Sequence, residues 1–207
     1  VADLVMRDLG LTQLSIETDA GILQSWRAAE DADHIAVDMG PARLAWDEVP
    51  LAGPADTTAV DLGALAPATA VCHSMGNPHA VLFVDDAEAI DLAHIGPQLE
   101  HHPLFPDRAN ISFVTKVGPD RFRMRVWERG GGITFACGSG ACAVGVAVSR
   151  SGRGARRNEI IMDGGSVFID WQDDGTLGGR VIMRGPVAYV FDGVLHGDLL
   201  ALMRAGA

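Results

Sequence analysis

The sequence predicts an α+β protein in which mixed sheets wrap around one central helix. Many short runs alternate between apolar and polar residues or are wholly apolar, and Gly, Pro, Asn and Asp separate them. The segment Ser139 to Val148 contains only small and apolar residues apart from its serine. A helix that is apolar on every side is buried on every side, as it would be inside a curved sheet.

The first half of the chain is predicted as one helix followed by short strands. Residues 1–9 form the end of a helix that stops before a glycine. Strands are predicted at Gln13–Thr18, Ile22–Ala28, Ile35–Met39, Ala70–Ser74 and Ala80–Val84. The first two strands are joined by a turn at Asp19-Ala20-Gly21. The stretch 43–69, rich in Ala, Pro, Asp and Gly, is predicted as loops and an edge strand.

The second half begins with a predicted helix over 87–94, capped by Asp85-Asp86 and ended by Gly96-Pro97. Strands are then predicted at Ile111–Lys116, Arg121–Arg129 and Ile133–Ala136, the last of these directly before the apolar helix. After that helix in the sequence, further strands are predicted at Glu159–Met162, Ser166–Trp171, Gly179–Met183 and Val187–Phe191, followed by a last helix at Leu199–Arg204.

Composition narrows the classes of function. The net charge of −11 argues against nucleic acid or an anionic membrane as a partner, since both attract basic patches. Three cysteines do not make a disulfide framework and are typical of a reducing compartment such as the cytoplasm. No signal peptide is visible. The uncharged run Gly130–Ser149 is long enough to span a membrane, but its glycines and the preceding turn favour a buried helix. No residue cluster has metal-ligand spacing, so no metal is expected.

The chemistry is predicted to centre on Cys137, which precedes Gly138-Ser139-Gly140 at the start of the apolar helix. Unpaired amides and the positive end of the helix dipole stabilise negative charge there, which predicts a lowered thiol pKa. The same amides can hold an anionic group such as a carboxylate beside the sulfur. Glu128 lies in the preceding strand on the face of Phe122, Met124 and Val126, and a carboxylate on a buried face is a candidate functional group.

Other residues carry weaker signals. His79 follows Asn77-Pro78 at a strand entrance, where a side chain can point into a cleft. Cys72 and Cys142 are interpreted as core residues. Gly138 to Ala143 also fits the relaxed fingerprint G-x-G-x-x-[G/A] of dinucleotide-binding enzymes, which keeps a nicotinamide-linked enzyme as a second hypothesis. The strand before it is very short, and no regular βαβ alternation follows.

Several segments resemble the motifs of one known family, diaminopimelate epimerase, in the family's order. They are Ser74-Met75-Gly76-Asn77-Pro78-His79-Ala80-Val81, Phe105-Pro106 with Asn110, Glu128-Arg129-Gly130, Ala136-Cys137-Gly138-Ser139-Gly140-Ala141, Met183-Arg184-Gly185-Pro186-Val187 and Val190-Phe191-Asp192-Gly193. The likeness spans essentially the whole chain. It implies two pseudo-symmetric lobes, each a curved mixed sheet around a central helix, and a homodimer.

The resemblance also implies an activity: cofactor-independent interconversion of LL- and meso-diaminopimelate, in lysine and peptidoglycan precursor synthesis. One sulfur removes the α-proton as thiolate, and a second supplies a proton from the opposite face as thiol. By resemblance, Cys137 is one acid/base, and Glu128 and His79 sit beside the α-amino group and the thiols. Asn77, Asn110, Glu128, Arg129, Gly138 and Ser139 would bind the substrate, the last two through amides to its α-carboxylate.

The sequence departs from the family pattern most strongly at its beginning. The family's first catalytic cysteine stands in a Cys-Gly-Asn-Gly segment, which this sequence lacks. Residues 1–37 and 183–207 are therefore expected to be a remnant of the first lobe and 38–182 a complete second lobe, and the chain alone is expected to be inactive. Ser139 stands where the family usually has Thr, and Arg184 where a small residue is more common. A racemase or isomerase of the same fold acting on another amino acid, and a non-catalytic ligand-binding half-protein, remain as alternatives.

Overall fold

The computed structural model describes residues 1–18, 21–29, 33–194 and 196–199. Its helices are α1 (Ala2–Leu9), α2 (Leu92–Glu100) and α3 (Gly138–Arg150). Its strands are β1 (Gln13–Thr18), β2 (Gly21–Arg27), β3 (His34–Asp38), β4 (Ala70–Ser74), β5 (Pro78–Phe83), β6 (Asn110–Gly118), β7 (Arg121–Glu128), β8 (Gly132–Ile133), β9 (Arg157–Met162), β10 (Gly165–Gln172) and β11 (Arg180–Pro186).

In the described residues the strands form one mixed sheet in the order β1-β2-β3-β11-β10-β9-β7-β6-β5-β4, with β8 paired to β7. The pairs β5–β6 and β7–β9 are parallel, and the other neighbours are antiparallel. This confirms the predicted α+β class with a mixed sheet and few helices.

Helix α3 is the centre of the main hydrophobic core. It contacts β4, β5, β6, β7, β9, β10 and β11, and every residue from Gly140 to Val148 is buried. Gly145 packs so closely on β10 that an added Cβ would lie 2.5 Å from Ile169 Cγ2. The prediction of a helix enclosed by sheet is confirmed. A second core lies between β4–β6 and α2, and a small third one joins α1 to β1 and β3.

The helix predicted over 87–94 was misplaced: α2 begins at Leu92 and ends at Glu100. Asp91 caps it, its Oδ1 accepting the N–H of His94 at 3.2 Å. Gly96 and Pro97 lie inside the helix instead of ending it. Gly96 is needed for packing, since an added Cβ would come within 2.6 Å of the indole of Trp127.

Two strand predictions need correction. The strand predicted over 133–136 is β8, which covers only Gly132–Ile133. The strand predicted over 187–191 does not form, because β11 ends at Pro186 and the segment after it is largely exposed. It docks on α1 by a side chain instead: the Tyr189 hydroxyl donates to Asp3 Oδ2 at 2.8 Å.

Two predicted segments lie wholly or partly outside the described residues. Asp19 and Ala20 of the predicted turn, and most of the helix predicted over 199–204, lie outside the described residues.

Among the described helices, none combines the length and apolar character required to cross a membrane.

Candidate active site

Strand β7 carries Glu128 to one edge of the α3 core. Its residues alternate, and Phe122, Met124 and Val126 are buried against α3, as the sequence predicted. Glu128 lies at the end of this strand and is half-buried. The chain then reverses through a turn in which Gly130 (φ 74°) and Gly132 (φ 78°) adopt left-handed backbone angles that favour glycine. The carboxylate is thus held where an apolar face meets a tight turn.

The turn and β8 lead to the N-terminus of α3, where Cys137 is the N-cap residue. Its side chain makes no capping hydrogen bond, and Cys137 is 5% exposed. No group in the described part of the chain accepts the amides of Gly138 and Ser139. Free amides at the positive end of a helix dipole form a ready anion site.

The Cys137 thiol contacts the Glu128 carboxylate directly. Sγ donates to Glu128 Oε2 at 3.2 Å, and the Thr134 hydroxyl donates to Oε1 at 2.5 Å. Burial, together with the bond to Glu128, raises the pKa of Cys137 to about 11, although the Gly140 amide and Ser139 lower it. The predicted lowering of this thiol pKa was therefore wrong, because burial and a neighbouring carboxylate outweigh the helix amides. The resting form is the protonated thiol.

A chain of polar contacts joins the other side of Cys137 to His79. The sulfur lies 3.7 Å from Ser139 Oγ, which accepts from Asn77 Nδ2 at 3.3 Å. Asn77 Oδ1 lies 3.0 Å from His79 Nε2. His79 itself is fully buried, and burial, then the charge of Arg129, lowers its pKa to about 3. His79 therefore contacts Asn77 as a neutral ring, and its place beside the α-amino group of the substrate stays a prediction.

Asn110 and Arg129 meet through the backbone. The buried Asn110 side chain donates to the carbonyl of Pro78 and accepts the N–H of Arg129, both at 3.0 Å. It therefore links β5 to the end of β7. The exposed Arg129 guanidinium donates to the carbonyl of Asp107 at 3.1 Å. It borders a cavity of about 420 Å³ lined by Arg43, Asp47, Glu48, Pro50, Ser74, Gly76, Pro78 and Asp107.

Two residues at this site had not been singled out from the sequence. Thr134 holds Glu128, and nothing in the sequence marked it except its place in the short segment before Cys137. Glu100 supports the turn after β7. Helical spacing could have identified Glu100 as buried, because it lies on one face of α2 with the other buried residues, Leu92, Gly96 and Leu99.

The dinucleotide fingerprint has a packing explanation here. Gly140 lies so close to β7 that an added Cβ would be 2.8 Å from Met124 Cε, and β8 before it has only two residues. Within the described residues, no three His, Cys, Asp or Glu side chains are grouped so that they could hold a metal ion.

Comparison with known proteins assigns the family. Residues 71–190 match the sequence model of diaminopimelate epimerase. The chain is 51% identical over 200 residues to the diaminopimelate epimerase of Rhodospirillum centenum, covering 97% of this chain and 67% of the relative. It is 50% identical to that of Acidiphilium cryptum, covering 97% and 70%. The chain belongs to the diaminopimelate epimerase family.

Membership makes the chain an amino-acid epimerase, an isomerase of lysine biosynthesis, and replaces the nicotinamide-linked hypothesis.

Solved structures agree on the fold. A phenazine biosynthesis protein of the PhzF family from Bacillus anthracis has a TM-score of 0.60 at 14% identity, covering 92% of this chain and 73% of that one. A hydroxyproline epimerase from Agrobacterium vitis has a TM-score of 0.58 at 15% identity, covering 86% and 57%.

Proposed function

We propose that this site moves the α-proton on one face of diaminopimelate, with Cys137 as the acid/base, in the interconversion of the LL and meso isomers. The observation that carries the proposal is the hydrogen bond from Cys137 Sγ to Glu128 Oε2 at 3.2 Å, beside the free amides of Gly138 and Ser139. It brings a proton donor, a proton acceptor and an anion site together at one helix terminus.

The proton transfers follow from the protonation states. As thiol, Cys137 donates its proton to the substrate α-carbon, and the electron pair of the carbanion forms the new C–H bond. In the reverse direction Glu128 accepts the Sγ proton, and the resulting thiolate removes the α-proton. The amides of Gly138 and Ser139 bind the α-carboxylate and stabilise the charge that develops on it when the proton leaves. These residues perform the transfer without a cofactor.

The cavity beside Arg129 suits the distal end of this substrate, which carries both a carboxylate and an ammonium group. An arginine guanidinium can grip a carboxylate with two hydrogen bonds. Acidic side chains on the same cavity wall, Asp47 and Glu48, match the ammonium group. We assign Asn77 and Asn110 to the same end, Asn110 by fixing the backbone of Arg129.

Inversion requires a second acid/base on the opposite face, and we propose that it lies outside these 207 residues. Cys72 and Cys142 are fully buried, and burial raises the pKa of each to about 12, so neither can serve. The chain alone is expected not to interconvert the isomers.

The separate small core of α1 with β1 and β3 supports a division into a lobe of residues 38–182 and part of another lobe, 1–37 with 183–207. A homodimer remains part of the proposal.

The test is α-proton exchange. The chain is incubated with LL- and meso-diaminopimelate in D₂O, and deuterium at the α-carbon is followed together with isomer composition. We expect exchange without inversion, and its loss in Cys137→Ser. Equal exchange by that variant, or none by the wild type, would remove Cys137 as the base. Inversion by the wild-type chain would contradict the proposal that a second base is missing. A parallel incubation with proline tests the alternative racemase, which exchange of proline without exchange of diaminopimelate would favour.

A further inference from the structure

A buried carboxylate outside the proposed catalytic set lies beneath the Glu128–Arg129 segment. Glu100 is the last residue of α2 and is 3% exposed. A buried carboxylate is costly unless hydrogen bonds replace the water it has lost. The donors that Glu100 recruits therefore indicate what the residue does.

All three donors lie on or beside the turn after β7. Oε2 accepts the indole N–H of Trp127 at 2.6 Å. Oε1 accepts the backbone N–H of Gly130 at 2.9 Å and a guanidinium N–H of Arg108 at 3.2 Å. Burial raises the pKa of Glu100, but the bonds from Trp127 and Gly130, with nearby positive charge, outweigh it and hold the pKa below its usual value. The carboxylate is therefore charged at neutral pH.

Trp127 and Gly130 immediately flank Glu128 and Arg129. Glu100 binds the residue before that pair and the residue after it, with a different oxygen for each. The turn is closed within itself by the N–H of Gly131, which donates to the carbonyl of Glu128 at 3.0 Å. The Trp127 indole is also fixed from its face by the close contact with Gly96. Helix α2 thus holds this segment through one charged side chain and one packed ring.

We propose that Glu100 is a positioning residue, whose carboxylate fixes both flanks of the Glu128–Arg129 pair so that Glu128 reaches Cys137 and Arg129 faces the neighbouring cavity. This inference rests on the proposed function, in which Glu128 exchanges a proton with Cys137. Glu100 touches neither sulfur nor substrate and acts only through the turn.

The test uses the 207-residue chain and the variants Glu100→Gln, Glu128→Gln and the double variant. The side-chain amide of Gln has one acceptor oxygen, so it cannot serve Trp127 and Gly130 from separate oxygens as the carboxylate does. The readout is the pKa of Cys137, taken from the pH dependence of its alkylation and resolved by peptide mass analysis. Far-ultraviolet circular dichroism and thermal melting report folding. Glu159→Gln, which removes a carboxylate paired with Arg121 on another part of the sheet, is the matched control.

We expect Glu100→Gln to shift the Cys137 alkylation profile to lower pH, by at least half the shift of Glu128→Gln, and to add little in the double variant. Glu159→Gln leaves the profile unchanged. A Glu100→Gln protein that melts earlier but keeps the wild-type profile would mean a purely structural role and would overturn the inference. If Glu128→Gln itself produces no shift, the proposed Glu128–Cys137 exchange fails, and this inference with it.

A second variant protects the test against loss of folding. Trp127→Phe keeps an aromatic ring near Gly96, and it removes the indole N–H that Glu100 accepts together with part of the indole ring system. We expect a smaller shift of the Cys137 profile in the same direction. A folded Trp127→Phe protein with no shift would count against positioning by Glu100.

Discussion

Replacing Glu128 by Gln separates the two effects that this carboxylate has on Cys137. Burial is the main cause of the high Cys137 pKa, and the carboxylate 3.2 Å from the sulfur raises this pKa further, through its hydrogen bond and its charge. Removing the charge is expected to lower that pKa and increase the thiolate fraction. The same change removes the group that accepts the thiol proton during turnover. We therefore expect a more reactive sulfur together with slower α-proton exchange.

The magnitude follows from the distance. Two unit charges 3.2 Å apart interact with about 1.3 kcal/mol in water and about 5 kcal/mol at the effective dielectric of protein sites. Even the lower figure corresponds to about one pKa unit, or a tenfold increase in thiolate at a fixed pH below the pKa. Because a less basic thiolate is a weaker nucleophile, the alkylation rate should rise only about threefold.

The assay follows iodoacetamide alkylation of Cys137 across the alkaline range, alongside α-proton exchange of diaminopimelate in D₂O. Thr134→Val is the control, because it removes the hydrogen bond that Thr134 donates to Glu128 and keeps the carboxylate itself. An unchanged or raised Cys137 pKa in Glu128→Gln would refute the electrostatic reasoning. Undiminished proton exchange would refute the role of Glu128 as proton acceptor.

Two further changes test a buried neutral histidine and the packing of Gly96. His73 is fully buried, and burial holds its pKa well below the ordinary value of 6.5. Below pH 6.5 the unfolded chain therefore binds a proton at His73 that the folded chain does not, and the free energy of unfolding falls on acidification. His73→Leu should remove about 1.4 kcal/mol of that loss per pH unit below 6.5, measured by urea unfolding at neutral and acidic pH; equal losses in both proteins would contradict this. Gly96→Ala should destabilise the fold by about 1–3 kcal/mol by pressing on Trp127, whereas Gly53→Ala, with open space around it, should be nearly neutral. Similar unfolding midpoints for the two alanine variants would contradict the packing argument.

Strands and the central helix could be predicted because their signals are local. The alternation from Phe122 to Glu128 fixes a buried face without any knowledge of the partner, and the uncharged helix can only be enclosed. The helix over 87–94 was misplaced because Gly96-Pro97 is typical of a helix end. The contact of Gly96 with Trp127, which explains its presence, joins distant parts of the chain. The strand over 187–191 has the composition of a strand, but pairing depends on a neighbour that a sequence pattern cannot supply.

The site could be predicted as a set of residues but not as an electrostatic arrangement. Cys137 was identified by its position before a glycine-rich helix start, and that position alone indicates a lowered pKa. Its burial and its bond to Glu128 reverse the direction, and both are properties of the folded chain. The same holds for His79, whose complete burial depends on strands that meet around it.

The position of β11 has a consequence for the order of folding during synthesis. Arg180 in β11 binds Asp38 in β3, 142 residues earlier in the chain. Strand β11 lies between β3 and β10, so it is the link that joins β1–β3 to the rest of the sheet. As the chain emerges from the ribosome, the edge of β3 that pairs with β11 stays unpaired until residues 180–186 have been made. Contacts this distant in sequence slow folding and expose strand edges to pairing with other chains. Synthesis interrupted before residue 180 would therefore release a chain with an open sheet edge, a form prone to aggregate.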